Sequence, residues 1–351
     1  MVAKTPLSRI GRTRHVLFAF GLLAWSLIAS AQQVTSHGVP LRNQNPFLQI
    51  FGLPPFQSAK LAAPGALDYY VSFDIVSHAE SAASPLEEIE IDGESYFLSL
   101  SLRRGWNDRF EIGVDLPLVA HAGGFLDNAI KNWHDLLGLS NSKRRGPNDQ
   151  LAIRYSRAGE TWYELNSTSF DLGDIQLSAA VPLRKGSDDN PFNMSLRGSI
   201  KLPTGSAEDL SGSGATDVSL GIYASSSHTL WQRELDVSGF AGALLLGDGD
   251  VLTDIQRSVV PYGGIAASWW ATERFGISVQ LQAEGAYFDT ELDVLGGTSA
   301  QLAVGFDYRM RNQGTSLHLA ITEDIGTDRT TTPDFGVHFS VRRFGAQPEN
   351  R

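Results

Sequence analysis

The chain has 351 residues, no cysteine, and 39 Asp and Glu against 28 Lys and Arg, a formal charge of −11. Lack of cysteine excludes disulfides, thiol catalysis, thiolate metal sites and a lipidated N-terminal cysteine. The acidic balance argues against a nucleic-acid partner.

Lys4, Arg9, Arg12 and Arg14 precede an apolar run from Val16 to Ile28 that ends in Ala29-Ser30-Ala31. This is the layout of a secretory signal peptide, so residues 1–31 are expected to be cleaved off before Gln32. Four of the cations and none of the carboxylates lie in that leader, which leaves 24 against 39, or −15, for the mature chain. No later stretch has eighteen consecutive apolar residues, so any membrane crossing has to use strands.

Residues 32–66 carry Pro40, Pro46, Pro54, Pro55 and Pro64 and cannot form a regular strand. Their apolar side chains, Phe47, Phe51 and Phe56 foremost, still need burial. A plug inside a barrel lumen and a periplasmic tail ordered against the rim both provide it.

From Leu67 to residue 345 the sequence alternates apolar and polar residues in segment after segment, the period of a strand with one oily and one wet face. Thirteen are clear, starting near Leu67, Glu94, Arg109, Gln150, Asp174, Phe192, Thr216, Leu235, Ser258, Arg274, Ser299, Thr315 and Asp334. A weaker one over 162–169 brings the count to fourteen, with twelve as the alternative even number. Joins alternate between tight (106–108, 157–160, 229–233, 271–274, 311–314) and long (79–93, 121–148, 203–214, 247–257, 289–298, 326–332), as in outer-membrane barrels. Trp106, Trp162, Trp231, Trp269 and Trp270 fall at the tight turns, where an aromatic girdle is expected. The last strand sets Phe335, Val337, Phe339 and Val341 on one face and Gly336, His338, Ser340 and Arg342 on the other, and residues 346–351 form a tail. The expected fold is all-β: a closed antiparallel transmembrane β-barrel of about fourteen strands with an N-terminal lumenal or periplasmic segment.

The hairpin sequence KLPTG (201–205) followed by SGSGATDVSLG (211–221) is similar to that of outer-membrane transporters associated with phenol meta-pathway degradation. Together with RNQNPFLQIFGLPP (42–55), DGESYFLSLSLRRGWNDRFEIGVDLPL (92–118) and GGFLDNAIKNWHDLLGL (123–139), it resembles an uncharacterised family of Gram-negative outer-membrane β-barrels, a domain of unknown function. The resemblance implies a barrel and no activity. Separately, the final strand resembles the alternating, aromatic-ended terminal strands that the outer-membrane barrel assembly machinery reads, although Phe344 is out of phase with Phe335.

By alternation, Asp74, Glu111, Asp115, Arg154, Arg197, Lys201, Asp217, Glu284, Asp307 and Arg309 face the lumen, as do Asp174 and Asp236. They either line a solute path or simply keep the interior wet. Phe125, Leu126, Ile130, Trp133 and Leu137 recur at helical spacing in the longest external loop, a candidate lid over the pore or a helix resting on the outer leaflet. His134-Asp135 are helix neighbours that do not face each other, so they make a poor catalytic pair. No cofactor, HExxH or paired-histidine metal motif is expected. The function pointed to is passage of small molecules, apolar ones included, across the outer membrane. A structural or surface-interaction role is the second reading and a hydrolase the third; lipid and a small solute are the expected partners.

Overall fold

The computed structural model describes residues 38–137, 148–187, 189–311, 314–325 and 331–345. The expected signal peptide (1–31) and tail (346–351) lie outside the described residues. Fifteen strands occur among them: β1 (Leu67–Ala83), β2 (Glu87–Asn107), β3 (Phe110–Ala122), β4 (Ala152–Arg157), β5 (Glu160–Leu165), β6 (Ser169–Leu172), β7 (Gln176–Arg184) and β8 (Asn193–Lys201). They continue with β9 (Asp217–Leu230), β10 (Arg233–Leu245), β11 (Val259–Trp270), β12 (Phe275–Glu284), β13 (Ser299–Arg309), β14 (Thr315–Asp324) and β15 (Phe335–Arg343). Helix α1 spans Asp127–Leu137 and the short α2 spans Asp293–Gly296. No described helix is long and apolar enough to cross a membrane; the strands do so.

Twelve strands close the barrel. β1, β2, β3 and β7 through β15 pair antiparallel in that order, and β15 pairs back to β1 from Tyr69↔Arg343 to Ser77↔Phe335. Closure satisfies the backbone groups that a free edge would leave bare in hydrocarbon. The count is therefore twelve, with β4, β5 and β6 outside the ring. β4 pairs with the first six residues of β2, and β5 with β4. β6 pairs with the last turn-ward residues of β3, Leu118–His121. The segments expected at Gln150 and at 162–169 are these additions rather than wall strands.

The alternation is physical. On β9, Val218, Leu220 and Ile222 are exposed on the outside while Asp217, Ser219 and Tyr223 are buried within. On β12, Phe275, Ile277, Val279 and Leu281 point out and Gly276, Ser278, Gln280 and Gln282 point in. Exposed apolar positions continue round the wall, including Phe73, Leu177, Ile265, Val304, Phe306, Leu319 and Phe339. Such a belt is stable only against lipid.

The ends differ. Tight turns join β2–β3, β9–β10, β11–β12 and β13–β14 at the end where β1 begins and β15 stops. By the usual asymmetry this is the periplasmic side. At the other end the first join is not the expected loop. β1 and β2 run on as a hairpin through Ala83 and Glu87, and β4 and β5 widen it into a four-stranded extension beyond the wall. The Trp girdle is correspondingly smaller. Trp106 and Trp231 are exposed at the periplasmic end, and Trp231 packs edge-on against Trp269, with ring centroids 6.0 Å apart. Trp162 sits at the opposite end on β5, and Trp270 is fully buried in the lumen.

Candidate functional site

Residues 38–66 occupy the barrel interior. Val39 donates its N–H to Gln280 Oε1 (2.7 Å), and the Asn43 amide donates to Glu284 Oε2 (3.1 Å) on the β12 wall. The chain turns over at 45–50, where Asn45 C=O accepts from Leu48 and Gln49. It then descends along β7–β10. Gly52 N–H donates to Asp217 Oδ2 (2.8 Å), and Gly52 C=O accepts from the Gln176 amide (2.9 Å). Phe56 meets Phe240 edge-on at 4.9 Å. Arg197 Nε donates to Ser58 C=O (3.1 Å), Ala62 N–H to Glu111 Oε2 (2.6 Å), and Gly65 bonds to Gly105 before β1 begins. The prolines explain the need for these side-chain partners, because a strandless segment in a barrel has no ladder to satisfy its amides.

At the extracellular end the turn enters an apolar core. Phe47, Leu48, Ile50, Phe51 and Leu53 cluster with Ile89, Ile91, Ile153, Tyr155 and Leu165 of the strand extension. Leu252, Ile255, Tyr287, Phe288, Val294 and Leu295 from the loops complete it. Phe51 stacks on Tyr287 at 5.3 Å and lies 5.7 Å from Phe288. Glu87 ties the extension to the loop before α2, accepting from Thr290 Oγ1 (2.6 Å) and Glu291 N–H (3.1 Å). It also accepts from Tyr155 Oη at 2.8 Å, and burial together with that bond pushes the Tyr155 phenol up to about 12.

Below this core lies a buried ionic latch. Lys201 Nζ reaches Asp174 Oδ2 (2.5 Å), Asp217 Oδ2 (3.2 Å), Ser213 Oγ (2.5 Å) and Ile50 C=O (3.0 Å). Asp174 also accepts the N–H groups of Thr204 (2.9 Å), Gly205 (2.8 Å) and Ser213 (3.1 Å). The KLPTG and SGSGATD runs are thus explained as the two sides of this latch. A Cβ on Gly212 would collide with Asp174, and Gly214 adopts φ +80°.

The periplasmic half is polar. Asp115 receives Arg103 through both carboxylate oxygens at 2.9 Å, with Arg42 at 3.6 Å. Arg197 pairs with Glu111 at 2.6 Å and also donates to Gln57. On the far wall Trp270 Nε1 donates to Asp236 Oδ2 (3.1 Å), Arg309 lies 3.4 Å over the Trp270 ring, and Arg309 pairs with Glu234 at 2.9 Å. Asp307 faces His318 at 2.9 Å. Asp74 and Ser340 flank His338, at 2.6 Å from Nδ1 and 3.1 Å from Nε2, but Tyr70 Oη shares Nε2 at 2.8 Å. Ser340 is 1% exposed and the neighbouring wall amides are committed to strand pairing, so this triad-like row lacks both access and oxyanion donors.

The inner segment does not fill the lumen. Two cavities of about 60 Å³ each remain between it and the β1–β3 wall. They abut, sharing Pro40, Pro55, Tyr70 and Ser101, and extend from Ser211 and Asp174 down to Asp68 and Arg342.

Of the lumen residues expected from alternation, Asp74, Glu111, Asp115, Arg197, Lys201, Asp217, Glu284, Asp307 and Arg309 do point inward, and Asp174 and Asp236 lie with them. Arg154 does not. It sits on the outer side of the extension against Glu88 (3.7 Å) and Glu90 (3.8 Å), because β4 lies above the ring and its parity refers to a different interior. Phe47, Phe51 and Phe56 are all within the barrel. In the expected lid, Ile130 is buried and Phe125 exposed, while the side chains of Trp133 and Leu137 lie outside the described residues. The N–H groups of Phe125 and Leu126 bond to Glu94 Oε1 (2.7 and 2.5 Å), and Glu94 points outward from β2. Helix α1 therefore starts on the outer wall rather than across the mouth, which the strand extension covers instead. Alternation also contained signals left unused: Arg103, Arg342 and His338 share the inward parity of their neighbours.

A closed, lipid-belted barrel of twelve strands with a threaded interior defines the class: a bacterial outer-membrane β-barrel of the kind that includes channels and porins. Among solved structures it is similar to the COG4313 outer membrane channel from Pseudomonas putida F1, at TM-score 0.53 and 13% identity over 83% of this chain and 99% of that one. It also matches the NanC porin (TM-score 0.44, 10% identity, 79% of this chain and 99% of that one). A third match is the Pseudomonas putida toluene transporter TodX (TM-score 0.37, 8% identity, 88% and 98%). No curated protein matches the sequence. Over residues 12–344 the chain matches the family described as "Protein of unknown function (DUF3187)", and it belongs to that family.

Proposed function

We propose that this protein is a narrow, passive channel for small solutes across the outer membrane, not an enzyme, and that residues 38–66 are its plug. The observation that carries the reading is the pair of abutting cavities along β1–β3, which the plug leaves unfilled. A polar lumen keeps such a path hydrated, and its ion-paired walls favour polar over apolar cargo. The solved channels of similar fold are consistent with transport at this level. Outer-membrane lipid is the partner of the apolar belt. The alternating face of Phe335, Val337, Phe339 and Val341 suits recognition by the barrel assembly machinery. The test is solute flux into liposomes and single-channel recording on the purified barrel; silence in both overturns the reading.

The apolar core over the mouth supports a second reading, a sealed barrel whose extracellular extension binds a partner. Retained surface binding with no flux in the same preparation would select it.

A further inference from the structure

One cavity in the periplasmic half of the lumen is lined by more cations than carboxylates. Glu111 is engaged by Arg197 at 2.6 Å, and Asp115 is shared between Arg103 at 2.9 Å and Arg42 at 3.6 Å. Lys60 and Arg342 line the same cavity as Arg103 and Arg197, and neither makes an ion pair among the described residues. Asp68 is the one further carboxylate there; it accepts the Gly345 N–H at 2.8 Å and attracts Arg342 without touching it. Lys60, Arg103, Arg197 and Arg342 thus line this cavity with Asp68 and Glu111, four cations to two carboxylates, inside a chain whose formal charge is −11. An excess of one sign in a confined cleft concentrates counter-ions of the other.

The rest of the lining is not that of a simple anion hole. Phe56, Pro40, Pro55 and Tyr70 present apolar surface beside the charges, and the Arg342 guanidinium is steadied over the Phe344 ring at 4.3 Å. Sites with a few placed polar groups among apolar walls take organic ligands rather than bare ions.

We propose that this cavity is a binding station for a small organic carboxylate, its head between Lys60 and Arg342 and its apolar body against Phe56 and the two prolines. The proposal rests on the channel reading above and adds the class of cargo. Lys60 also lines a third cavity, at the periplasmic rim beside Arg184 and Lys185, so the same charge marks the exit.

The full chain, reconstituted in planar bilayers under a KCl gradient, tests it, with benzoate as the probe and benzyl alcohol as its uncharged counterpart. The expected result is a reversal potential of anion-selective sign and a chloride current reduced by benzoate but not by benzyl alcohol. In K60Q the half-blocking concentration of benzoate should rise about tenfold, the loss of one charge-assisted contact, and in K60Q/R342Q it should rise further. Lys131→Gln, on the external helix, should leave it unchanged. K60Q alters an exposed side chain, so it reads the site even where the double variant folds poorly. A cation-selective current, or equal block by the two probes, overturns the carboxylate station while leaving the channel intact. No current in any salt removes the channel and the station together.

Discussion

The two ends of the lumen are built from opposite chemistry. At the extracellular end the tip of the plug, Phe47 to Leu53, is buried in an apolar core made by the strand extension and the loops. At the periplasmic end the same segment, Gln57 to Ala62, is held by arginines, a glutamate and backbone bonds, with open cavities beside it. Apolar packing is non-directional and excludes water, so it closes. Charged pairing is directional and tolerates water between its groups, so it holds a chain in place without filling the space. The inner segment is therefore packed at its tip and merely tethered at its base, and on the channel reading proposed above the open path lies on the β1–β3 side.

That contrast can be broken outright by removing the plug. A chain lacking residues 38–60 loses the occupant of the lumen while keeping every wall strand. Single-channel conductance is expected to rise severalfold, and an unchanged current would show that the wall or loops, not the segment, set the aperture.

The next largest effect is expected at the latch between the two halves. Lys201→Met leaves Asp174 and Asp217 buried with no cation, and removing one partner of such a network costs about 3–5 kcal/mol. Denaturant unfolding of the barrel in detergent measures the loss, and a shift under about 1 kcal/mol would mean the loops carry the latch through their amide bonds alone. Phe51→Ala sharpens the apolar side. Loss of the ring that stacks on Tyr287 is expected to destabilise by about 3 kcal/mol and to make channel openings more frequent. If stability falls while gating stays the same, the core over the mouth is scaffolding and not a seal.

How much of this was legible follows from where each residue's solvent lies. The twelve wall strands could be read because odd and even positions there face water and lipid, two media that demand different side chains. Trp269 and Trp270 show the rule in adjacent residues: parity alone sends one to the membrane face and the other to Asp236. Beyond the bilayer the rule weakens. Residues 79–93 looked like a loop because Glu80, Glu87, Glu88 and Glu90 break the oily face, yet those strands continue, with Ile89 and Ile91 inward. Alternation placed Asp174, Lys201 and Asp217 in the lumen, but not that they meet, because the strand register that sets Lys201 opposite Asp217 is not written in composition. The plug's burial followed from its phenylalanines, but its path did not, because backbone bonds to Gln280, Asp217 and Glu111 leave no trace in composition.

Arg154 gives the smallest expected effect and the finest test of that boundary. Its alternation matches that of lumen residues, but the strand that bears it pairs with the part of β2 above the ring, so its side chain meets Glu88 and Glu90 in solvent. Exposed pairs of this kind contribute about 0–1 kcal/mol. Arg154→Gln is therefore expected to shift unfolding by less than about 1 kcal/mol and to leave ion selectivity where it was, whereas Arg197→Gln, at the same nominal parity but within the wall, should change both. Selectivity recorded for the two variants side by side decides it. A change in Arg154→Gln as large as in Arg197→Gln would mean that the solute path bends out beneath the extension and that the apolar core is not the end of the channel.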